Sequence, residues 1–598
     1  MLFRSLSPLQ VEMYFNAAQT LIDEAMNVTQ IGARRFEAEE MAGSGGPAGG
    51  AWSLASSGAV QQSIMIETAG RYRVSVRAWQ HAGGPNPAEM RILAGGAPVA
   101  TVNVTASESA PETYEGEATL SDGSVLIGAE FTNDYYVAGT DTMPAVDLNL
   151  LVDWIEVEGP LDVASDNPLR ERIMVCEPDA ADPETCLREV VTAFGRRAYR
   201  RPLDGPEVDA LVGLATSAIE DGDDVDQATR LMLRAILLSP QFLFRVEHDE
   251  APDSLAPHAL SDHELASRLS YFLWSSMPDD ALLQLADDGE LSDDAVLRAQ
   301  VQRMLADEKS EALLDNFAGQ WLFIRAIDDH VPDYAAFPEF DEDLRVAMRS
   351  ETEAFVRELL FGNVPMNRML DADFSFINQR LATHYGMSGI EGDALERVSL
   401  EGVERRGLLT QASILMVTSY ATRTSPVKRG KWVLEQLLCE SPPPPPPGVE
   451  GLMTEETPTG SLRERMEAHR TDPVCSTCHT MMDPIGFSFE HYDGIGRYRD
   501  TDNGFDIDPA GVLPDGTEFE GPLELATLLT GDERLPRCIA KQLLTYALGR
   551  GMEPYDKDDL DGMTAAFVAG GYQMPELIEQ VVLSEAFRMR RGEVEEEP

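Results

Sequence analysis

The sequence predicts several domains in series: a β-sandwich first, then a mainly α-helical body. Three observations carry that expectation. The chain has 598 residues, well beyond the size at which one hydrophobic core stops growing. From about residue 34 to 160, short β-branched or alternating runs are punctuated by Gly, Pro, Asn and Asp. Beyond about residue 165, apolar residues recur at helical spacing behind capping residues.

Taken in order, "MLFRSLSPLQVEMYFNAAQTLIDEAM" lacks the basic region, apolar core and cleavage site of a secretory signal. It reads as the end of an amphipathic helix, so residues 1–32 are expected to be the remnant of an upstream domain. Residues 33–161 hold "RYRVSVRAW", "AEMRILAG", "APVATVNVT", "VLIGAEFTN" and "LLVDWIEVEG", whose regular spacing favours a sandwich. A small helical domain (162–222) and a larger one (223–394) follow. In the latter, Ser261 and Glu264 form a capping box ahead of Leu265, Leu269, Phe272 and Leu273. "SETEAFVRELL" and "SPVKRGKWVLEQLL" are also helical, the second with proline near its start. Residues 395–505 and 506–590 complete the helical body, and the acidic tail 591–598 is expected to fray. Within the former, Pro442 to Pro447 form a polyproline II rod of roughly 19 Å, either an arm across the surface or a docking segment for an SH3-like partner.

The formal net charge is −56, with five lysines against forty-two arginines. Such an acidic field repels phosphate, which excludes nucleic acid as a partner; adaptation to a salty environment accounts for it equally well. Hydrophobic content of 43% suits a globular chain, and no apolar run is long enough to span a bilayer.

The segment "DPVCSTCHTMMDPIG" (472–486) carries the chemistry. A c-type haem requires two thiols three positions apart and an adjacent histidine, and Cys475, Cys478 and His479 meet that requirement. Chance alone produces such a pattern here on the order of once in a thousand chains. A zinc half-site would need two further ligands nearby, and a bare disulfide or dithiol gives no reason for the histidine. Met416, His469 and His491 are candidates for a sixth iron ligand, though a five-coordinate iron open to small ligands is equally consistent. Upstream, "RTSPVKRGK" groups Arg423, Lys428, Arg429 and Lys431, either to neutralise haem propionates or dock an anionic redox partner, or as ordinary helix-end charge.

Four cysteines remain. Cys176 and Cys186 bracket a loop of turn formers and can close on each other, leaving Cys439 and Cys538 to clip the start of the proline rod to the last helical segment. Disulfides and thioether-linked haem both belong to an oxidising, exported compartment.

"LSDHELASRLSYFLWSSMPDDALLQLA", "FAGQWL", "FINQRLATHYG", "RRGLLTQASILMVTSYATRTSPVKRGKWVLEQLL", the proline run, "CSTCHTMMDPIGFSFEHYDGIGRYRD" and "LLTYALGRG" together resemble the large secreted cytochrome-like proteins of planctomycetes and myxobacteria, assembled from serial domains of unknown function. The resemblance spans about residues 165–590. It implies a periplasmic or cell-surface haem protein linked to polysaccharide use.

The sandwich is similar to jelly-roll, calcium-dependent carbohydrate-binding modules. That resemblance implies a structural calcium held by Glu37 and Glu39 of "FEAEEM" and Asp153 of "VDWIEV". "FTNDYY" and "DLNLLVDW" resemble the xylan-binding subgroup, in which Asn133, Asp134, Asp147 and Asn149 would surround a second calcium contacted by sugar hydroxyls. Such oxygen ligands suit calcium; solvated loop acids are the plainer alternative. Tyr135, Tyr136 and Trp79 are candidates for stacking on a sugar ring or for packing. The acidic stretch Asp500–Asp508 does not fit an EF-hand, and His263 and His384 read as structural or surface residues.

These readings converge on an exported protein with one covalent haem c and one or two calcium ions. It would bind a xylan-like polysaccharide and serve a redox partner by electron transfer or haem-dependent oxidation. The alternatives are a non-catalytic polysaccharide-binding scaffold and a peroxidase-like enzyme with an open iron site.

Overall fold

The computed structural model describes the chain except residues 1–6, 27–31, 67, 141–142, 162–166, 180–181, 249–253, 444–459, 472 and 593–598; 32, 469 and 473–475 are described by backbone alone. It forms two compact units, one comprising residues 1–196 and 203–243, the other 197–202 and 244–598.

The first unit contains the sandwich. Its strands are β1 (Gly32–Glu37), β2 (Ala42–Gly43), β3 (Gly46–Ala48), β4 (Ala51–Leu54), β5 (Gly58–Ile66), β6 (Gly70–His81), β7 (Ala88–Ala94), β8 (Ala97–Val104), β9 (Glu112–Leu120), β10 (Gly123–Phe131), β11 (Tyr135–Val137) and β12 (Val146–Gly159). One sheet has the order β3-β4-β12-β6-β9, with β1 and β11 also paired to β12; the other has the order β2-β5-β10-β7-β8. Alternation decides the core: Tyr72, Val74, Val76 and Ala78 of β6 meet Met90, Ile92, Ile127, Ala129 and Phe131, all buried.

Strand β12 organises both ends of this sandwich. Leu148, Leu150 and Val152 face inward, the register shifts between Val152 and Trp154, and Ile155 and Val157 then take over the inward positions. The shift is a bulge that re-aims the strand by one residue, and Asp153 sits at it. Sequence-local periodicity gives no warning of such a change of phase.

The same unit holds helices Pro8–Met26, Gly205–Glu220 and Val225–Leu238, the last two each opened by an Asp-based capping box. Ala18, Ile22 and Met26 form the buried stripe of the first. Cys176 and Cys186 are bonded, with Cα atoms 5.7 Å apart.

The second unit is largely helical. Ser261 and Glu264 form the expected capping box, and Leu265, Leu269, Phe272 and Leu273 of helix Asp262–Trp274 are buried. "SETEAFVRELL" lies within helix Glu342–Phe361. Pro426 begins helix Pro426–Trp432, whose cap Ser425 accepts from the Lys428 amide. Cys439 and Cys538 are bonded across 99 residues. Of the proline run, only Pro442 and Pro443 fall among the described residues. The acidic stretch around Asp500 is a hairpin, Thr501–Asp502 against Phe505–Asp506, turned by Asn503 and Gly504 at positive φ. Asn-Gly is a strong signal for this turn and accounts for the shape of the segment.

A buried polar network also stands in this unit. Ser375 and Tyr385 donate to the two carboxylate oxygens of Glu351, at 2.6 and 2.5 Å, and the Tyr385 oxygen accepts from the Ala412 amide. The Arg405 guanidinium lies 3.7 Å from the Tyr385 ring centroid. Burial pushes the Glu351 carboxyl up to about 7 despite these donors.

Candidate functional site

The cysteine–histidine motif lies on helix Pro473–Phe487. Cys475, Cys478 and His479 stand three and four positions apart on this helix, the spacing at which helical positions are neighbours. Cys478 is unbridged and its thiol donates to the Pro443 carbonyl at 3.3 Å. One turn beyond, the Asp483 carboxylate is fully buried, with its oxygens 3.0 and 3.1 Å from His479 Nδ1. A metal-binding histidine characteristically has its second ring nitrogen held by such a group, which fixes tautomer and ring direction. The donor set therefore fits a c-type haem. Sequence reasoning passed over Asp483, although its i,i+4 spacing from His479 was the available signal.

What holds this helix in place is close backbone contact. A Cβ on Gly430 would stand 1.9 Å from the Met482 carbonyl oxygen, and one on Gly486 would stand 1.9 Å from that of Pro426. Each helix thus offers a glycine to the other's backbone, an approach that no larger residue permits.

The four upstream cations do not form one patch. Arg429 is 2% exposed, and its guanidinium donates to the carbonyls of Phe489, Tyr492 and Asp493 at 2.7–2.8 Å. Burial lowers it to about 10, opposed by Glu490 at 3.4 Å. It ties together the segment that follows the motif helix. Lys428 donates to the Ser419 carbonyl and lies over Tyr420, Arg423 also lies over Tyr420, and Lys431 pairs with Glu435.

Among the sixth-ligand candidates, Met416 is wholly buried in the apolar cluster with Phe337, Leu381 and Ile495. His491 Nδ1 contacts the Arg499 carbonyl and its ring stacks on Tyr498. The His469 side chain, like that of Cys475, lies outside the described residues. His263 contacts Asp287, and His384 contacts the Ile495 carbonyl, burial lowering it to about 4.

In the sandwich, β12 joins the two residue sets expected to hold calcium. Glu37 pairs in register with Trp154, next to Asp153, which faces Arg77 at 3.5 Å. Glu39 Oε2 is buried without a hydrogen-bond partner. At the other end, Asp147 and Asn149 share a face of β12, and Asn149 Nδ2 donates to Asp147 at 3.2 Å while its Oδ1 is buried and unpartnered. Asn133 bridges the Glu89 amide and the Pro87 carbonyl, which braces the loop, and Asp134 is exposed. Among the described residues, no three His, Cys, Asp or Glu side chains stand together as a metal site. Each set nevertheless contributes one orphaned oxygen of the hard type that calcium prefers. Tyr135 and Tyr136 are 39% and 62% exposed beside Asp147, whereas Trp79 is buried in the core. The sequence missed Gly83, where a Cβ would stand 2.1 Å from the Asp147 carbonyl oxygen.

Four family models match in succession, each described as a protein of unknown function: DUF1595 over residues 186–247, DUF1592 over 260–387, DUF1588 over 405–502 and DUF1585 over 515–587. A fifth, described as a Ca-dependent, xylan-binding carbohydrate-binding module, matches 73–169. The chain is built from serial domains of unknown function of the planctomycete-type, cytochrome-like kind, with a stretch matching a Ca-dependent xylan-binding module before them. In this serial-domain protein the cysteine–histidine helix falls within the DUF1588 segment. Asn133, Asp134, Asp147, Asn149 and Asp153 fall within the module match, and Glu37 and Glu39 precede it.

Similar solved structures cover 21% of the serial-domain chain. They include the CBM36-1 domain of a multidomain xylanase from the hindgut metagenome of Trinervitermes trinervoides (16% identity, 98% of that chain, TM-score 0.17). A CBM36 module in complex with calcium and xylotriose is 22% identical (98% of that chain, TM-score 0.16). A family 35 module from Clostridium thermocellum is 15% identical (97% of that chain, TM-score 0.15). The search of curated proteins finds no match. Among the described residues no helix is long and apolar enough to cross a membrane.

Proposed function

We propose that the chain is an exported c-type haem protein that binds a xylan-like polysaccharide through its sandwich. Its role is electron transfer, or haem-dependent oxidation, near that polysaccharide. The observation that carries this reading is the pairing of His479 with the buried Asp483 on the helix of Cys475 and Cys478. In it, Cys475 and Cys478 would hold the porphyrin through thioethers and His479 would bind the iron. A haem so bound supplies a one-electron carrier, or a site for small ligands if its sixth position is open. Asp483 keeps the imidazole in one tautomer and one orientation. Arg423, Lys428 and Lys431 would exchange their local contacts with Tyr420, Ser419 and Glu435 to meet propionates or an anionic redox partner, whereas Arg429 is held by three backbone carbonyls.

Glu37, Glu39 and Asp153 hold a structural calcium in this reading. Asn133, Asp134, Asp147 and Asn149 hold or frame a second, with Tyr135 and Tyr136 against the sugar. The disulfides support an oxidising location, periplasmic, secreted or at the cell surface.

The test is expression with haem-maturation machinery, then haem staining and intact mass. The expected mass includes one covalent haem, lost in Cys475→Ser. A bare polypeptide mass, where a control cytochrome matures, would leave only a polysaccharide-binding scaffold. Retention on xylan that a chelator abolishes supports the calcium role; retention that survives chelation removes it.

A further inference from the structure

The helical unit contains a cavity of about 310 Å³ that plays no part in the sites above; that volume is at the lower end of ligand-sized clefts. Its polar wall carries Arg534, Arg537, Lys541 and Lys557, with Glu440 and Glu553 opposed to them. Two of the chain's five lysines are therefore in one cavity of a protein with net charge −56.

The arginines are already matched. Arg534 pairs with Asp532 at 2.6 Å and Glu440 at 2.9 Å, and Arg537 pairs with Asp561. The three lysines elsewhere are matched too: Lys309 lies over the Trp274 ring, Lys428 donates to the Ser419 carbonyl and Lys431 pairs with Glu435. Lys541 and Lys557 differ, since neither makes a hydrogen bond, ion pair or ring contact among the described residues. Lys541 is half-buried and Lys557 exposed at the mouth, and of the two carboxylates in the wall Glu440 is taken by Arg534.

The cavity is also braced. The Cys439–Cys538 bond forms part of its wall and fastens the segment before the proline run to helix Arg534–Leu548. The Arg534 bridge from Asp532 to Glu440 spans the same two elements. Met552 and Leu560 add an apolar side. A braced wall with two cations not engaged in a direct contact is organised for a ligand before the ligand arrives.

We propose that this cavity binds a small dianion, with Lys541 and Lys557 as its counter-charges. Two chemistries present that charge on a compact skeleton, a dicarboxylate and a phosphate group, and the same experiment separates them.

Thermal unfolding of the full chain is followed at constant ionic strength with malonate, inorganic phosphate or acetate. The expected result is a saturable rise in Tm with at least one dianion and none with acetate. Malonate alone identifies a dicarboxylate site, phosphate alone a phosphate site, and both a site that reads charge. Lys541→Gln combined with Lys557→Gln is expected to weaken the response by about tenfold or more, while Lys309→Gln leaves it intact. The charge-keeping pair Lys541→Arg and Lys557→Arg is expected to retain it, which separates lost charge from a disturbed fold. A flat Tm with both dianions, or an undiminished response in the glutamine pair, overturns the proposal.

Discussion

His479 Nδ1 and the carboxylate of Asp483 meet at 3.0 and 3.1 Å, one helical turn apart, and the acid has no solvent contact. This contact is made between two side chains of the polypeptide itself, so it has consequences for the stability of the chain. His479→Ala leaves a buried acid without its partner, which costs about 1–3 kcal/mol. A lower Tm for apo His479→Ala than for apo Cys478→Ser is the expected result. Asp483→Asn keeps the volume but loses the charge, and is expected to reduce haem incorporation at unchanged expression, measured by the haem absorbance per polypeptide.

The glycine contacts make an opposite pair of predictions. Gly430→Ala and Gly486→Ala each drive a methyl into a carbonyl oxygen and are expected to destabilise by about 1–3 kcal/mol or more. Gly562→Ala, in helix Lys557–Ala569 with nothing within 4 Å of the added carbon, is expected to stabilise by about 0.8–1 kcal/mol. Chemical denaturation measures all three.

Glu351 predicts a pH dependence. Its carboxyl rises from 4.5 to about 7 on folding, so between those values the folded state holds the proton more tightly than the unfolded one. Its contribution is complete below pH 4.5 and is lost as pH rises through about 7, on the order of 3 kcal/mol in all. Glu351→Gln is expected to remove that fall, read as the difference between variant and parent stabilities from pH 4 to 8.

The two calcium sets should separate. Glu39→Ala is expected to abolish a calcium-dependent rise in Tm while leaving most xylan retention. Asn149→Ala is expected to weaken retention while leaving that rise. Affinity electrophoresis on xylan and thermal scans, each with and without calcium, distinguish the two.

Much of this protein is local in character and could be read from the chain. The alternation of β6, the capping box at Ser261 and Glu264 and the spacing of Cys475, Cys478 and His479 each depend on residues within a few positions. Backbone geometry turns such spacing directly into a shared face. Cys176 and Cys186 were similarly constrained by the short loop between them.

Other features were settled by packing between distant segments. Arg429 looked like a surface cation until the carbonyls of Phe489, Tyr492 and Asp493 enclosed it, and Trp79 looked available to a sugar until packing within the sandwich buried it. Asp153 owes its position to a bulge, and Asp483 owes its burial to a helix that two glycines bring within reach. Sequence alone determined which chemical groups are present and which share an element. Only the tertiary structure decided which of them water can reach, because exposure and partner choice depend on atoms tens or hundreds of residues away.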